Sequence, residues 1–173
     1  MLVEIRDLGP VVLVPAAWLA AAASIRGHLG SEGMLIAHGV MAVFIAFFAV
    51  TGWTAMSEGA FRAWRLVMVV GLPVTLAGLA GFFLPSTERL LFSVSLVGWM
   101  ILPAAGLAYT GRELPDARTL YFSTAALSAV GAAVGAGGIL TEAETTLLVG
   151  IVLVGVGQTV GIADASYRDR AGV

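Results

Sequence analysis

Residues 34–56, MLIAHGVMAVFIAFFAVTGWTAM, decide the fold class of this chain. They form one uninterrupted apolar run, and a bilayer core roughly 30 Å thick requires about 20 helical residues. The run therefore predicts a membrane-spanning helix rather than a buried helix of a water-soluble domain. It carries a single ionisable side chain, His38, about one turn from its start.

The composition of the whole chain agrees with a membrane protein. Of the 173 residues, 59% are hydrophobic and 12% are charged, which is outside the range of soluble globular domains. The chain has no cysteine, so disulfides, thiolate metal sites and cysteine nucleophiles are excluded. A net charge of −2 argues against nucleic acid as a partner.

Six apolar runs are separated by short polar connectors, which predicts an all-α integral membrane protein with a six-transmembrane-helix bundle. The N-terminal MLVEIRD lacks the positive charge of a signal peptide, so the first run is counted as a span. The predicted single transmembrane domain covers residues 1–173, with spans over residues 8–25, 34–56, 65–84, 90–110, 119–139 and 145–165.

The arginines predict the orientation of this bundle in a cell membrane. With six spans, seven arginines fall on one side and two, Arg26 and Arg89, fall on the other. Because cytoplasmic loops carry the excess of basic residues, the sequence predicts that the N and C termini are both cytoplasmic. The seven are Arg6, Arg62, Arg65, Arg112, Arg118, Arg168 and Arg170.

Two kinds of internal pattern predict how the spans are arranged. The turns SEGML, TERLL and AETTLL recur about 56 residues apart, as three tandem helical hairpins would require; an inverted repeat of three plus three helices, typical of transporters, is the alternative. GxxxG pairs occur at Gly131 and Gly135 and again at Gly157 and Gly161. Such pairs favour close helix packing, inside the chain or in a homo-oligomer.

His38 is the strongest candidate for a functional residue, because ionisable groups inside spans usually face the bundle interior. On a helical period His38 shares its face with small residues, whereas Phe44, Phe47 and Phe48 fall on the opposite, lipid-facing side. A histidine beside small residues leaves space for a flat cofactor, and neutral imidazole is a common ligand of haem iron. The sequence thus predicts b-type haem, with His38 as its metal ligand, for electron transfer or for gas or redox sensing.

Three further residues complete the predicted haem site. Arg26 and Arg89 lie in connectors on the side where the His38 helix begins, and they are candidate partners of the propionates. His28 is a candidate second axial ligand if its loop folds back over the bundle. The alternative for His38 is a purely structural one, in which its ring only bonds a carbonyl or meets water.

Two other function classes stay open. A small-solute or ion channel or transporter would use Gln158, His38 and Thr75 along its path; otherwise Gln158 is expected to pair across helices with Ser93, Ser95, Ser128 or Thr75. An accessory or scaffold subunit would use the glycine faces to bind a partner. No motif of a known enzyme class is present in the sequence, which leaves enzymatic activity undecided.

Overall fold

The structure is a computed structural model that describes residues 2–171, with side chains described for residues 9–168 and 170. All regular elements of these residues are helical. The main helices are α1 (Leu2–Ile25), α2 (Ser31–Thr51), α3 (Phe61–Gly81), α4 (Glu88–Glu113), α5 (Arg118–Thr141) and α6 (Glu144–Ala171). Short 3₁₀ turns at Ala55–Ser57 and Pro115–Ala117 lie in the α2–α3 and α4–α5 connections.

Five of the helices, α2 to α6, are long and apolar enough to cross a membrane. The apolar part of α1 with described side chains, Gly9–Ile25, is shorter. The predicted all-helical membrane class is thus confirmed for five helices by length and composition. The side chain of Arg6, used in the orientation argument, is outside the described residues.

Helices adjacent in sequence pack against each other, and α1 closes the bundle by packing on α6. The α4–α5 pair is as extensive as the α3–α4 pair, whereas the α1–α2 pair is loose. The packing therefore does not separate three hairpin units. Because α1 and α6 are antiparallel neighbours, α1 begins and α6 ends at the same end of the bundle, called here the terminal end; the other is the opposite end.

The tightest packing is between α5 and α6, where glycines let the two backbones approach. A Cβ atom on Gly131 would lie 2.8 Å from the carbonyl oxygen of Gly150, and one on Gly150 would lie 2.6 Å from the Cα atom of Gly135. These two helices have the most buried apolar windows of the five, at 39% each. The GxxxG glycines of α5 therefore form an intrachain contact, as the close-packing prediction requires.

The second GxxxG pair also faces inward. A Cβ atom on Gly157 would lie 2.5 Å from the hydroxyl oxygen of Ser128, and one on Gly161 would meet Leu107 of α4. The chain's own helices therefore cover these two glycines.

The outer helix α2 differs from its sequence-based description in two ways. It ends at Thr51 with Gly52 as its C-cap, so Trp53 lies in the following turn rather than in the span. Phe48 is half-buried and its ring contacts Gly9 of α1. Part of the face of α2 that was predicted to contact lipid therefore packs on α1. Val43 is exposed and Ile45 is buried, as the helical period predicts.

A buried tyrosine near the terminal end offers a test of the packing. Tyr121 is fully buried, and its hydroxyl has no hydrogen-bond partner among the described residues. The carboxylate of Asp164 approaches this hydroxyl but is held instead by the Nε atom of Arg168, at 2.7 Å.

Because an unbonded buried hydroxyl is costly, Tyr121→Phe is expected to raise the free energy of unfolding by about 1 kcal/mol. Reversible unfolding in mixed micelles of increasing denaturing-detergent fraction measures the change. A loss of stability would show instead that the hydroxyl bonds Asp164 or a water molecule.

Candidate functional site

The His38 ring is oriented by its own helix. Its Nδ1 atom lies 2.9 Å from the carbonyl oxygen of Met34, one turn earlier. Because a carbonyl only accepts hydrogen bonds, Nδ1 must carry the proton, and the neutral ring then has its lone pair on Nε2. This is the arrangement in which a histidine is ready to bind a metal through Nε2. The helix begins at Ser31, so His38 lies two turns inside it rather than one.

The Nε2 atom points across the bundle to α3 and α4. A Cβ atom on Gly78 would lie 2.6 Å from Nε2 and 2.6 Å from the hydroxyl oxygen of Ser95, so both atoms flank the same glycine. Two aromatic rings complete the surroundings: Phe82 at 5.5 Å and Phe92 at 6.5 Å between ring centroids. Among the described residues Nε2 has no hydrogen-bond partner.

The available space next to Nε2 is small. Gly78 brings the backbone of α3 directly against the imidazole, so an iron atom at Nε2 needs either rotation of the ring or separation of α2 from α3. Separation of α2 from α3 is expected to cost less free energy than rotation of the ring. Only 6% of the apolar window of α2 is buried, which is the least of the five candidate spans.

The predicted propionate partners lie at the opposite end of the bundle but are already paired. The guanidinium of Arg89 donates to Glu142 at 2.6 Å and to the carbonyl oxygen of Ile139 at 3.4 Å. Arg26 pairs with Glu144 at 3.5 Å. Arg26, in the α1–α2 loop, and Arg89, in the first turn of α4, are thus both paired with residues at the α5–α6 turn. All four charged side chains of these two pairs are more than half exposed. Exposed pairs of this kind contribute little to stability and exchange partners readily.

His28 is exposed in the α1–α2 loop. His38 follows the start of α2 by seven residues, or about 10 Å along the helix axis. No contact between the two histidines is formed among the described residues. The structure therefore brings His38 together with Phe82, Phe92, Ser95 and Gly78, and not with His28.

Gln158 belongs to a separate hydrogen-bond network in the middle of the bundle. The indole of Trp18 donates to its Oε1 atom at 3.1 Å, and its Nε2 atom donates to the carbonyl oxygens of Trp99 at 3.0 Å and Met100 at 3.3 Å. The prediction that Gln158 pairs with a serine or threonine side chain is therefore wrong. The Trp99 carbonyl is available because Pro103, one turn later, has no N–H group to bond it.

The network extends to Thr75. The indole of Trp99 donates to the hydroxyl oxygen of Thr75 at 2.9 Å, and Thr75 and Gln158 are 1% and 2% exposed. Two of the three residues predicted for a solute path, Gln158 and Thr75, are thus connected through Trp99, since Gln158 bonds its carbonyl oxygen and Thr75 bonds its indole. Two open grooves of the described residues lie elsewhere, one on α6 beside Thr145, Leu148 and Val152 and one at the end of α2.

Fold and site together define the chain as an all-helical protein with the helices of a multi-pass membrane protein, a filled interior and one oriented histidine between its outer helices. No family model, curated protein or solved structure gives a significant match to this chain.

Proposed function

We propose that this chain is a b-type haem-binding membrane protein and that His38 is the axial ligand of the iron. The observation that supports the proposal is the state of the ring: Nδ1 is held by the Met34 carbonyl at 2.9 Å, and Nε2 has no hydrogen-bond partner among the described residues. A histidine with a purely structural role needs only the Nδ1 hydrogen bond. His38 is only partly buried, so the lone pair of Nε2 stays available to a metal ion.

The residue types around His38 suit a porphyrin once the ring has rotated or α2 has moved away from α3. Phe82 and Phe92 offer apolar surfaces, and Gly78 is the smallest residue that α3 could present to the ring. Arg89 precedes Phe92 by about one turn on α4, toward the opposite end of the bundle. Arg89 and Arg26 are then the cations for the propionates, in exchange for their exposed pairs with Glu142 and Glu144.

The proposal favours gas or redox sensing over simple electron transfer. His28 is exposed in its loop, so His38 is the one histidine that the described residues place inside the bundle. Haem iron with one protein ligand keeps an open position, at which small gases bind.

We further propose that all six helices cross the cell membrane with both termini in the cytoplasm. Trp18 of α1 is buried against α4 and α6, which favours α1 as an integral part of the bundle. The described arginines follow the predicted distribution: Arg26 and Arg89 lie at the opposite end, and the others lie at the terminal end.

Haemin titration of the purified protein tests the site. The wild type is expected to develop a sharpened Soret band that saturates at one haem per chain, and His38→Ala is expected to weaken binding at least tenfold because the ligand bond is lost. His28→Ala is the matched control and is expected to bind as the wild type does. Equal titrations of wild type and His38→Ala would contradict the proposal.

The same sample shows whether one or two protein side chains bind the iron. After reduction, carbon monoxide is expected to shift the Soret band of the wild type, because one coordination position is open. An unchanged spectrum under carbon monoxide would show two strong protein ligands and would favour electron transfer. Transport through Gln158, His38 and Thr75 and an accessory role of the glycine faces stay predictions of the sequence.

A further inference from the structure

A shallow groove lies at the terminal end of α2, far along the helix from His38. It is lined by Ala49, Val50, Trp53 and Thr54 and is widely open to the surroundings. Ala49, Val50 and Trp53 are apolar, and Trp53 is half exposed. The groove therefore has an apolar wall that ends in the amphipathic indole of Trp53. Tryptophan at this position is typical of the headgroup level of a membrane.

A guanidinium group is fixed at the mouth of this groove. The Cζ atom of Arg65, in the first turns of α3, lies 4.9 Å from the centre of the Trp53 ring. This cation–π contact orients Arg65 without neutralising its charge. No carboxylate of the described residues forms an ion pair with Arg65, in contrast to Arg26, Arg89 and Arg168.

The start of α3 adds positive potential at the same place. The N-cap residue of α3, Ala60, has no side chain that could bond the N–H groups of the first turn, of which that of Arg62 donates to the carbonyl oxygen of Gly59 at 3.2 Å. Those groups carry the positive end of the helix dipole. Arg62 in this first turn is exposed and is also without an ion pair among the described residues.

From these observations we infer that the α2–α3 corner binds one anionic phospholipid, with an acyl chain along the Ala49–Trp53 groove and the phosphate at Arg65. An apolar groove that leads to an oriented, unpaired guanidinium is complementary to a lipid with an acidic headgroup. The inference is independent of the haem proposal, because it uses none of the same residues.

The chain provides a matched control for this site. Arg118, also at the terminal end, lies 5.5 Å above the ring of Phe122, so it has the same charge and the same kind of aromatic contact. The groove at the end of α2 does not include Arg118 or Phe122. A general attraction of arginines to acidic membranes predicts equal effects of the two arginines, whereas a lipid site predicts an effect of Arg65 only.

Tryptophan quenching measures lipid binding at the site directly. The full chain is reconstituted in vesicles that contain brominated phosphatidylglycerol or brominated phosphatidylcholine at equal mole fractions. The difference in fluorescence between wild type and Trp53→Phe isolates the signal of Trp53. We expect the brominated phosphatidylglycerol to occupy the site about fivefold more favourably, as expected for about one basic residue near a membrane surface.

Arg65→Gln is expected to reduce this preference to about one, and Arg65→Lys and Arg118→Gln are expected to retain it. Unchanged quenching by brominated phosphatidylcholine in Arg65→Gln verifies that the corner has kept its structure. In the wild type, 1 M salt is expected to lower the preference, because the Debye length falls to about 3 Å. Equal quenching by the two lipids in the wild type would overturn the proposal, as would an equal loss of preference in Arg65→Gln and Arg118→Gln.

Discussion

Gly150→Val is expected to lower the free energy of unfolding by about 3 kcal/mol or more, which is near the upper end for overpacked sites. A Cβ atom at this position would contact the backbone nitrogen of Gly135 and would lie 2.7 Å from the carbonyl oxygen of Gly131. Both atoms are backbone and cannot rotate away. The two most buried helices of the bundle would therefore have to separate.

Gly137→Val is the matched control for this prediction. Gly137 also lies within the α5–α6 hairpin, but a Cβ atom there would meet no other atom within 4 Å. The change is expected to leave stability within about 1 kcal/mol of the wild type, because helix propensity is the main term. Comparable losses for the two variants in mixed-micelle unfolding would refute the close α5–α6 contact.

Gln158→Leu is the second substitution with a large expected effect, a loss of about 2 to 3 kcal/mol. Leucine keeps the approximate volume of the side chain but leaves the Trp18 indole and the Trp99 carbonyl without their partner. Each buried polar group that loses its bond costs about 1–3 kcal/mol, although bonds inside membrane proteins measure toward the lower end of that range.

A double-mutant cycle isolates the hydrogen bond between α1 and α6. Trp18→Phe removes the indole donor that bonds Gln158 at 3.1 Å. Because both single variants abolish the same bond, the double variant is expected to be more stable than the sum of the single losses predicts, by about 1 kcal/mol. Strict additivity would mean that the two side chains do not interact.

The sequence predicts the fold class well because that class depends on local properties. Run length and hydropathy identify the apolar helices from α2 to α6, and the spacing of Gly131 and Gly135 indicates the close α5–α6 contact. Helix ends are less accurate: α2 ends at Thr51, because Gly52 and the turn after it leave the helix although residues 52–56 contain apolar side chains.

Partners across the bundle are harder to predict, as Gln158 shows. A search for polar side chains at the same depth favours serines and threonines, but the observed acceptors are backbone carbonyls. The signal was present in Pro103, which deprives the carbonyl of Trp99 of its helical donor. That Gln158 faces this carbonyl depends on the rotation of α6 against α4, which no local pattern reports.

The candidate site shows the same division between local and long-range information. That His38 lies inside a span with its ring toward packed neighbours follows from the helical period. Its contact with the Met34 carbonyl is also local, one turn apart. The aromatic neighbours Phe82 and Phe92 come from other helices, and the carboxylates that pair with Arg26 and Arg89 come from the distant α5–α6 turn.

The most direct test of haem binding is the absorption spectrum of the protein purified from cells that make haem. The wild type is expected to show a Soret band and, after reduction, the α and β bands of a b-type haem. His38→Ala, purified in parallel and equally well folded, is expected to lack them. A colourless wild type, or a Soret band of equal intensity in His38→Ala, would contradict the account.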